Sequence, residues 1–422
     1  MAGNGFETIQ EVGNVYQSKS RAFEKIQNLE TPVTSMFGEA DGLDLGAKGT
    51  TLLRTYSIDA TGGPTPFFNT WKTPGANSYM VVTLLPKKMT IPVMIYKDLK
   101  AFTNSPNTAY GDAPAEILQA ARDYGARMRE LQAVGIGTGQ IAEAVGAGTA
   151  TTALVVDDVT QFIIGEPLEA FRVSGSNWVK VTTFALNVDN APKVTDINYE
   201  TNTVTLDRNA TWLSGDILCK ATTMDQAVYG NSMQTSACYA GLRGIVSEQG
   251  EFDDTFQNVN LTNYPLYDAT VVDASGAPIA QDLLNQTLNR AKFYSGMGKE
   301  IDTLLSDRQQ LRVFKNTELQ KVRYEAGNIE AGAVKVMYDK FEWVATNDIY
   351  GGEVMLLMKD DIKWSYKQKL KLSPPTEGAS PFTQISNTDA FSAYYTEIAN
   401  LCYFGTKRKG LCRITNLYQP TK

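Results

Sequence analysis

Histidine is absent from this 422-residue sequence. Histidine is the commonest general base, proton shuttle and metal ligand. Its absence excludes Ser-His-Asp and Cys-His nucleophilic sites and histidine-ligated zinc or iron centres. Carboxylate pairs, lysine bases and oxygen-ligated Mg²⁺ or Ca²⁺ stay open. Cysteine is scarce, with Cys219, Cys238, Cys402 and Cys412 and no Cys-x-x-Cys spacing, so neither a zinc ribbon nor a thioredoxin-like motif is encoded. The four read as reduced thiols. No disulfide is expected, although Cys402 and Cys412 flank one turn. Basic charge is not in excess: 39 Lys and Arg face 46 Asp and Glu, for a net charge of −7. A chain that grips nucleic acid through phosphates normally shows the opposite balance, although a local basic patch is compatible with this total. No apolar run reaches the roughly 18 residues that a bilayer span needs, and the start Met1-Ala2-Gly3-Asn4-Gly5 lacks a secretory apolar stretch. Synthesis in a cytosol without membrane insertion is the expectation.

What remains is ordinary globular material, 43% hydrophobic and 20% charged, enough for two to four domains. Apolar residues are sparse over residues 1–50, so this segment reads as an arm ordered by a partner or not at all; a short helix over 15–29 is the one element expected in it. Extended runs at 50–58 and 79–85 bracket a Gly/Pro-rich excursion that carries Phe67, Phe68 and Trp71. Large aromatics on such an excursion are costly in water. They either meet a neighbouring chain or fold back on their own domain, and inter-subunit contact is the expectation taken here. Another extended run is expected at 89–96. Asp112-Ala113-Pro114 then opens the clearest helix, with Ile117, Ala121, Tyr124, Met128 and Leu131 spaced four, three, four, three. Gly135, Gly137 and Gly139 stop it and are read as a flexible hinge. They follow a helix with no Gly-Lys-Ser/Thr beside them, so they are no nucleotide loop.

Residues 140–222 turn to Thr, Val, Gly and Asp, with short strands expected at 153–156, 171–173, 178–184, 203–206 and 217–220, the pattern of a small β-barrel or sandwich. An amphipathic helix follows over 279–294 with Leu283, Leu284, Leu288 and Ala291 inward. A strand is expected at 301–305, then a helix start at which Ser306 and Gln309 fit a capping box. Strands at 334–338, 340–344 and 354–358 supply a sheet. The lysine-rich run 359–371 alternates with Ile362, Trp364, Tyr366 and Leu370 as a half-exposed strand. Its lysines either meet acidic residues of a neighbouring subunit or keep an edge strand soluble. Segments 394–404 and 411–417 read as a closing hairpin around Gly405–Gly410, whose Lys407-Arg408-Lys409 is read as a solvated turn in preference to a phosphate contact. Asp157-Asp158, Asp253-Asp254 and Asp360-Asp361 lack EF-hand spacing and read as solvated faces. No catalytic, cofactor or metal site is expected.

The order of these elements resembles the major capsid proteins of tailed bacteriophages, the Hong Kong 97-like fold. Asp302-Thr303-Leu304-Leu305-Ser306-Asp307-Arg308-Gln309-Gln310 is similar to that family's axial strand entering a capped helix, and Gly241-Leu242-Arg243-Gly244-Ile245 to a loop that precedes it. The resemblance implies an α+β chain with an N-terminal arm at 1–50 and an E-loop hairpin at 51–88. A peripheral domain with its spine helix takes 89–136, an inserted small β-barrel or sandwich domain 137–222, and an axial domain 223–385. Residues 386–422 return to the peripheral domain. It implies a non-enzymatic subunit that self-assembles into hexamers and pentamers of an icosahedral shell enclosing double-stranded DNA, contacted without sequence preference. Scaffolding, portal or decoration proteins are the further partners, and the virion, assembled in host cytoplasm, is the location. Alternatives are an encapsulin-like compartment shell, a β-rich phage tail or baseplate protein, and an enzyme that uses carboxylates alone.

Overall fold

A long amphipathic helix lies across a twisted antiparallel sheet, and this pair organises the rest. The structure, a computed structural model, describes residues 31–40, 50–57, 78–96, 113–174, 177–185, 190–221, 236–295, 300–319, 336–338, 341–373, 382–385 and 389–419. The expected helix over 15–29, the cap Asp112, and Phe67, Phe68 and Trp71 lie outside the described residues.

Helix α1 (Pro32–Met36) is one turn. Strands β1 (Thr50–Ser57) and β2 (Ser78–Leu84) pair antiparallel as a two-stranded ribbon. Strand β3 (Lys87–Tyr96) alternates strictly, with Met89, Ile91, Val93 and Ile95 inward, as period-two patterning over a covered face requires. Helix α2 (Ala113–Val134) packs on it. Leu131 is buried, and Ala121, Tyr124 and Met128 pack half-buried on the core, so the expected stripe faces inward.

Residues 140–221 build two small antiparallel sheets around an apolar core of their own that includes Leu154, Val156, Phe162, Leu168, Trp212 and Leu218. In one, β4 (Gln140–Glu143), β6 (Leu168–Ser174), β7 (Asn177–Lys180) and β10 (Ile217–Lys220) are ordered β4-β10-β6-β7; in the other, β5 (Gly148–Val155), β8 (Val194–Asn198) and β9 (Thr203–Trp212) are ordered β5-β9-β8. Strand β10 has the expected bounds. The strand expected over 178–184 ends at Lys180, because a turn at 182–184 sends Val181, Phe184 and Ala185 into the core instead. Strands β4 and β8 were not expected; β8 is half polar and stays largely exposed.

Beyond a single helical turn, α3 (Leu242–Ile245), and the short pair β11 (Thr255–Phe256) and β12 (Val259–Asn260), a six-stranded mixed sheet forms the second large layer. Its order is β13-β21-β17-β14-β16-β15, with β13 (Thr270–Asp273), β14 (Thr303–Ser306), β15 (Val336–Tyr338), β16 (Phe341–Ala345), β17 (Val354–Leu357) and β21 (Cys412–Thr415). All four residues of β14 and all four of β17 are buried, as expected for central strands covered on both faces. Helix α4 (Gln281–Ser295) buries Leu284, Leu288 and Ala291, with Leu283 at the margin, and α5 (Arg308–Leu319) buries Leu311 and Phe314. The cap of α5 corrects one expectation. Asp307 is the acceptor, taking hydrogen bonds from the amides of Gln309 and, at 3.1 Å, Gln310. Ser306 instead accepts from the Trp343 indole at 2.8 Å, since its place at the end of a buried strand turns its hydroxyl into the core.

The closing hairpin is the larger correction. Strand β20 (Ala390–Tyr403) pairs with β3 on one side and with β18 (Ile362–Ser373) on the other, with β19 (Thr383–Gln384) beside it. Strand β21 pairs with β13 and β17 in the other sheet. The two runs expected to pair as a hairpin over 394–404 and 411–417 thus divide between two sheets. The turn between them buries Arg408.

Candidate functional site

A cavity of about 60 Å³ lies beside the end of α2, lined by Met128, Gln132, Ile136, Glu166, Lys220 and Tyr239. No cluster of three or more Cys, Asp or Glu side chains able to hold a metal ion is found among the described residues. No helix among them is long and apolar enough to cross a membrane. What the structure does present is a set of joints and one exposed ribbon.

The first joint is the corner that ends α2. Gly135 and Gly137 are buried and Gly139 half-buried, and Gly137 and Gly139 hold φ of +94° and +90°. A Cβ on Gly137 would lie 3.1 Å from the Tyr239 carbonyl and from the Ala240 Cα. Backbone conformation and close packing therefore require glycine at Gly137, a static reason distinct from hinging. Beside the corner, Tyr124 donates to the Glu166 carboxylate at 3.0 Å, and Lys220 pairs with the same oxygen while its ammonium lies 4.1 Å over the Tyr124 ring. Burial pushes Glu166 up and Lys220 down, and their contact offsets part of the cost each would carry alone. Arg127, one turn further along α2, forms a bidentate pair with Asp348, both contacts at 2.6 Å.

The Asp157-Asp158 pair belongs to this joint and is not a solvated face. Asp157 accepts from the Glu143 amide at 2.7 Å and from the Tyr350 hydroxyl, and buried Asp158 accepts from the amides of Thr160 and Gly351. Together they lace residues 140–221 to the 346–352 loop. Asp361 is likewise buried, whereas Asp254 and Asp360 are exposed as expected. Sequence spacing carried no sign of this, because Tyr350 and Gly351 lie 193 residues away from Asp157 and Asp158.

The second joint holds the strap 31–40. The fully buried carboxylate of Glu130 on α2 accepts from the amides of Val33 and Thr34, each at 2.7 Å, and from the Thr34 hydroxyl at 2.5 Å. These are free N–H groups of the first turn of α1. Burial pushes the Glu130 pKa up against the pull of its three donors. Downstream, Gly38 and Ala40 hydrogen-bond Trp364 across the edge of β18 at 2.9 and 2.8 Å.

The third joint corrects the basic turn. Arg408 is fully buried, where Lys407-Arg408-Lys409 was expected to be solvated. Its guanidinium donates to the carbonyls of Tyr267, Ile245 and Ser247 at 2.8, 3.1 and 3.2 Å and stacks 4.2 Å from the Phe256 ring. Burial draws it down to about 10, still charged at neutral pH.

The four thiols are free and buried. Burial raises Cys219 and pushes Cys238, Cys402 and Cys412 up to about 12, and only the thiolate attacks. At about pH 8 a soluble aromatic disulfide should therefore titrate none of the four in the native chain and all four in denaturant. Rapid native reaction at any of them would contradict this packing.

The exposed ribbon is β1–β2. Met80, Val82 and Leu84 face the core, while Leu53, Tyr79 and Val81 are 68%, 50% and 50% exposed. Leu53 pairs with Val81 in register, and Thr55 with Tyr79. The outward face is thus an apolar strip at the root of the excursion that carries Phe67, Phe68 and Trp71.

No protein-family model and no curated protein matches the sequence. Solved structures do match. A chain of the cyanophage A-1(L) capsid asymmetric unit aligns with TM-score 0.55 and 9% identity over 96% of this chain and 99% of that one. The capsid chain of a native GTA particle aligns with TM-score 0.49 and 7% identity over 94% of each chain. The SrpI encapsulin of Synechococcus elongatus PCC 7942 aligns with TM-score 0.46 and 10% identity over 96% of this chain and 95% of that one. Near-complete coverage in both directions of the cyanophage chain shows that this mixed helix-and-strand chain has a phage-capsid fold.

Proposed function

We propose that this chain is the major capsid protein of a tailed-bacteriophage-type particle, a non-enzymatic subunit that forms the hexamers and pentamers of an icosahedral shell around double-stranded DNA. The observation that carries the reading is the two-way coverage of a phage capsid chain from end to end. In this reading α2 is the spine helix, residues 140–221 are the inserted β domain, and the β1–β2 ribbon is the root of the E-loop. Phe67, Phe68 and Trp71 at its tip are proposed inter-subunit contacts. Gly135, Gly137 and Gly139 are proposed as the pivot between spine and insert. The virion is the place of action, after assembly in the host cytoplasm, with scaffolding, portal or decoration proteins as further partners.

Electron microscopy of the purified chain, with its size checked by sedimentation, tests the reading. Closed regular particles support it, whereas rings or tubes would move the protein to a tail or baseplate role. A dedicated cargo protein inside the particles would favour an encapsulin-like compartment. The ribbon gives a sharper test. Leu53→Asp with Val81→Asp puts two carboxylates on a surface that is exposed in the subunit and covered in the shell. Unfolding should shift by about 1 kcal/mol at most, the repulsion of two like charges opposed across a solvated ribbon, while assembly should weaken by about 100-fold or more, the cost of desolvating unpaired charge. Normal particles from this variant would remove the ribbon from the interface.

A further inference from the structure

The shell reading leaves unassigned the outer edge of β18, where Lys367, Lys369 and Lys371 are all exposed. Among the described residues no strand pairs with this edge beyond the bridge at Trp364. Lys369 meets Glu39 of the strap at 2.6 Å. Lys367 and Lys371 have no ion-pair partner among the described residues. The chain carries −7 overall, so this strip is a local inversion of its field.

We propose that this lysine strip is one half of a head-to-tail contact between copies of the chain, and that its other half is the acidic 248–254 loop of a second copy. That loop holds Glu248, Glu251, Asp253 and Asp254 with no basic residue among them. Glu251 is engaged with Arg413 and Asp253 accepts from the Thr255 amide at 3.1 Å, whereas Glu248 and Asp254 are exposed. Two copies at −7 each repel, so a stable contact must set unlike charge opposite unlike charge. A heterologous contact needs two different complementary patches on one chain, and these two supply them. Among the described residues no ion pair joins strip and loop. The strap already shows that the edge accepts carboxylate-bearing backbone, through Glu39 and the hydrogen bonds of Trp364 with Gly38 and Ala40.

Lysines also guard sheet edges against mispairing, and charge reversal separates the two roles because glutamate guards an edge equally well. The inference rests on the shell reading, and the particles of the unmodified chain test that reading by themselves. Under conditions in which the unmodified chain assembles, Lys367→Glu with Lys371→Glu should raise the concentration needed for assembly about tenfold or more, and Glu248→Lys with Asp254→Lys should do the same. The chain carrying all four changes should recover to within about threefold of the original, and added salt should narrow every difference. Circular dichroism and unfolding midpoints confirm that all variants fold. Assembly of either reversed pair at the original concentration would overturn the proposal and leave the lysines as edge guards. Failure of the fourfold variant to recover would overturn the assigned partner. Strip-reversed shells that form normally but lose packaged DNA would overturn it in favour of a phosphate partner.

Discussion

Arg408→Ala is expected to cost about 3–5 kcal/mol of stability, the range for stripping a buried charge from its acceptors. The side chain is fully buried, and its three N–H groups satisfy carbonyls from three points, Tyr267, Ile245 and Ser247. Alanine leaves those carbonyls buried without donors, each at about 1–3 kcal/mol before relaxation, and opens a void beside Phe256. Stability of a whole domain is only about 5–15 kcal/mol, so most of the variant should be recovered insoluble or unfolded. Arg408→Lys should recover part of the loss at most, because one ammonium cannot span a forked set of acceptors. Denaturant midpoints of the soluble fractions measure both. A midpoint for Arg408→Ala within about 1 kcal/mol of the unmodified chain would mean that these three hydrogen bonds do not anchor the turn.

Gly241→Ala should be comparably damaging for a steric reason. A Cβ there would stand 2.1 Å from the Gly135 carbonyl oxygen and 2.5 Å from that of Gln132. Both are backbone atoms at the end of α2, and neither can swing away as a side-chain tip would. The same approach lets the Arg243 amide reach the Gly135 carbonyl at 3.2 Å. Relieving the clash means pulling α3 from α2, at a cost of about 3 kcal/mol or more, the upper range for overpacking. Gly146→Ala is the contrast. It holds φ +81° with nothing within 4 Å of its would-be Cβ, so only left-handed strain applies, about 1–2 kcal/mol. Thermal unfolding should rank Gly241→Ala far below Gly146→Ala. Equal shifts would mean that backbone strain and not close approach governs the corner.

The joints around these residues were only partly legible. The α2 stripe and its glycine stop are local signals, and the helix ends at Val134 where the glycines begin. The exposed face of β1–β2 was not anticipated, although alternation at 79–84 carried the signal that one side of the ribbon would be apolar and open. Arg408 and the Asp157-Asp158 pair were read as solvated, because a charged residue in a turn looks the same whether water or distant carbonyls and amides surround it. The hairpin over 394–417 failed for a related reason. Two extended runs around a glycine-bounded turn usually pair with each other, yet here they join different sheets, whose partner strands β3, β13, β17 and β18 no local signal names.

By itself the sequence determined that histidine chemistry is absent, where the long helix runs, that residues 140–221 fold as short strands, and that the thiols stay unpaired. Each follows from residue type or from periodicity within a few turns of chain. Only the tertiary structure decided which strands neighbour one another, which charges are buried, and which apolar face is left open. Those outcomes depend on partners up to about three hundred residues apart, and neither propensity nor spacing encodes the energy of a contact that forms only when both ends have been brought together.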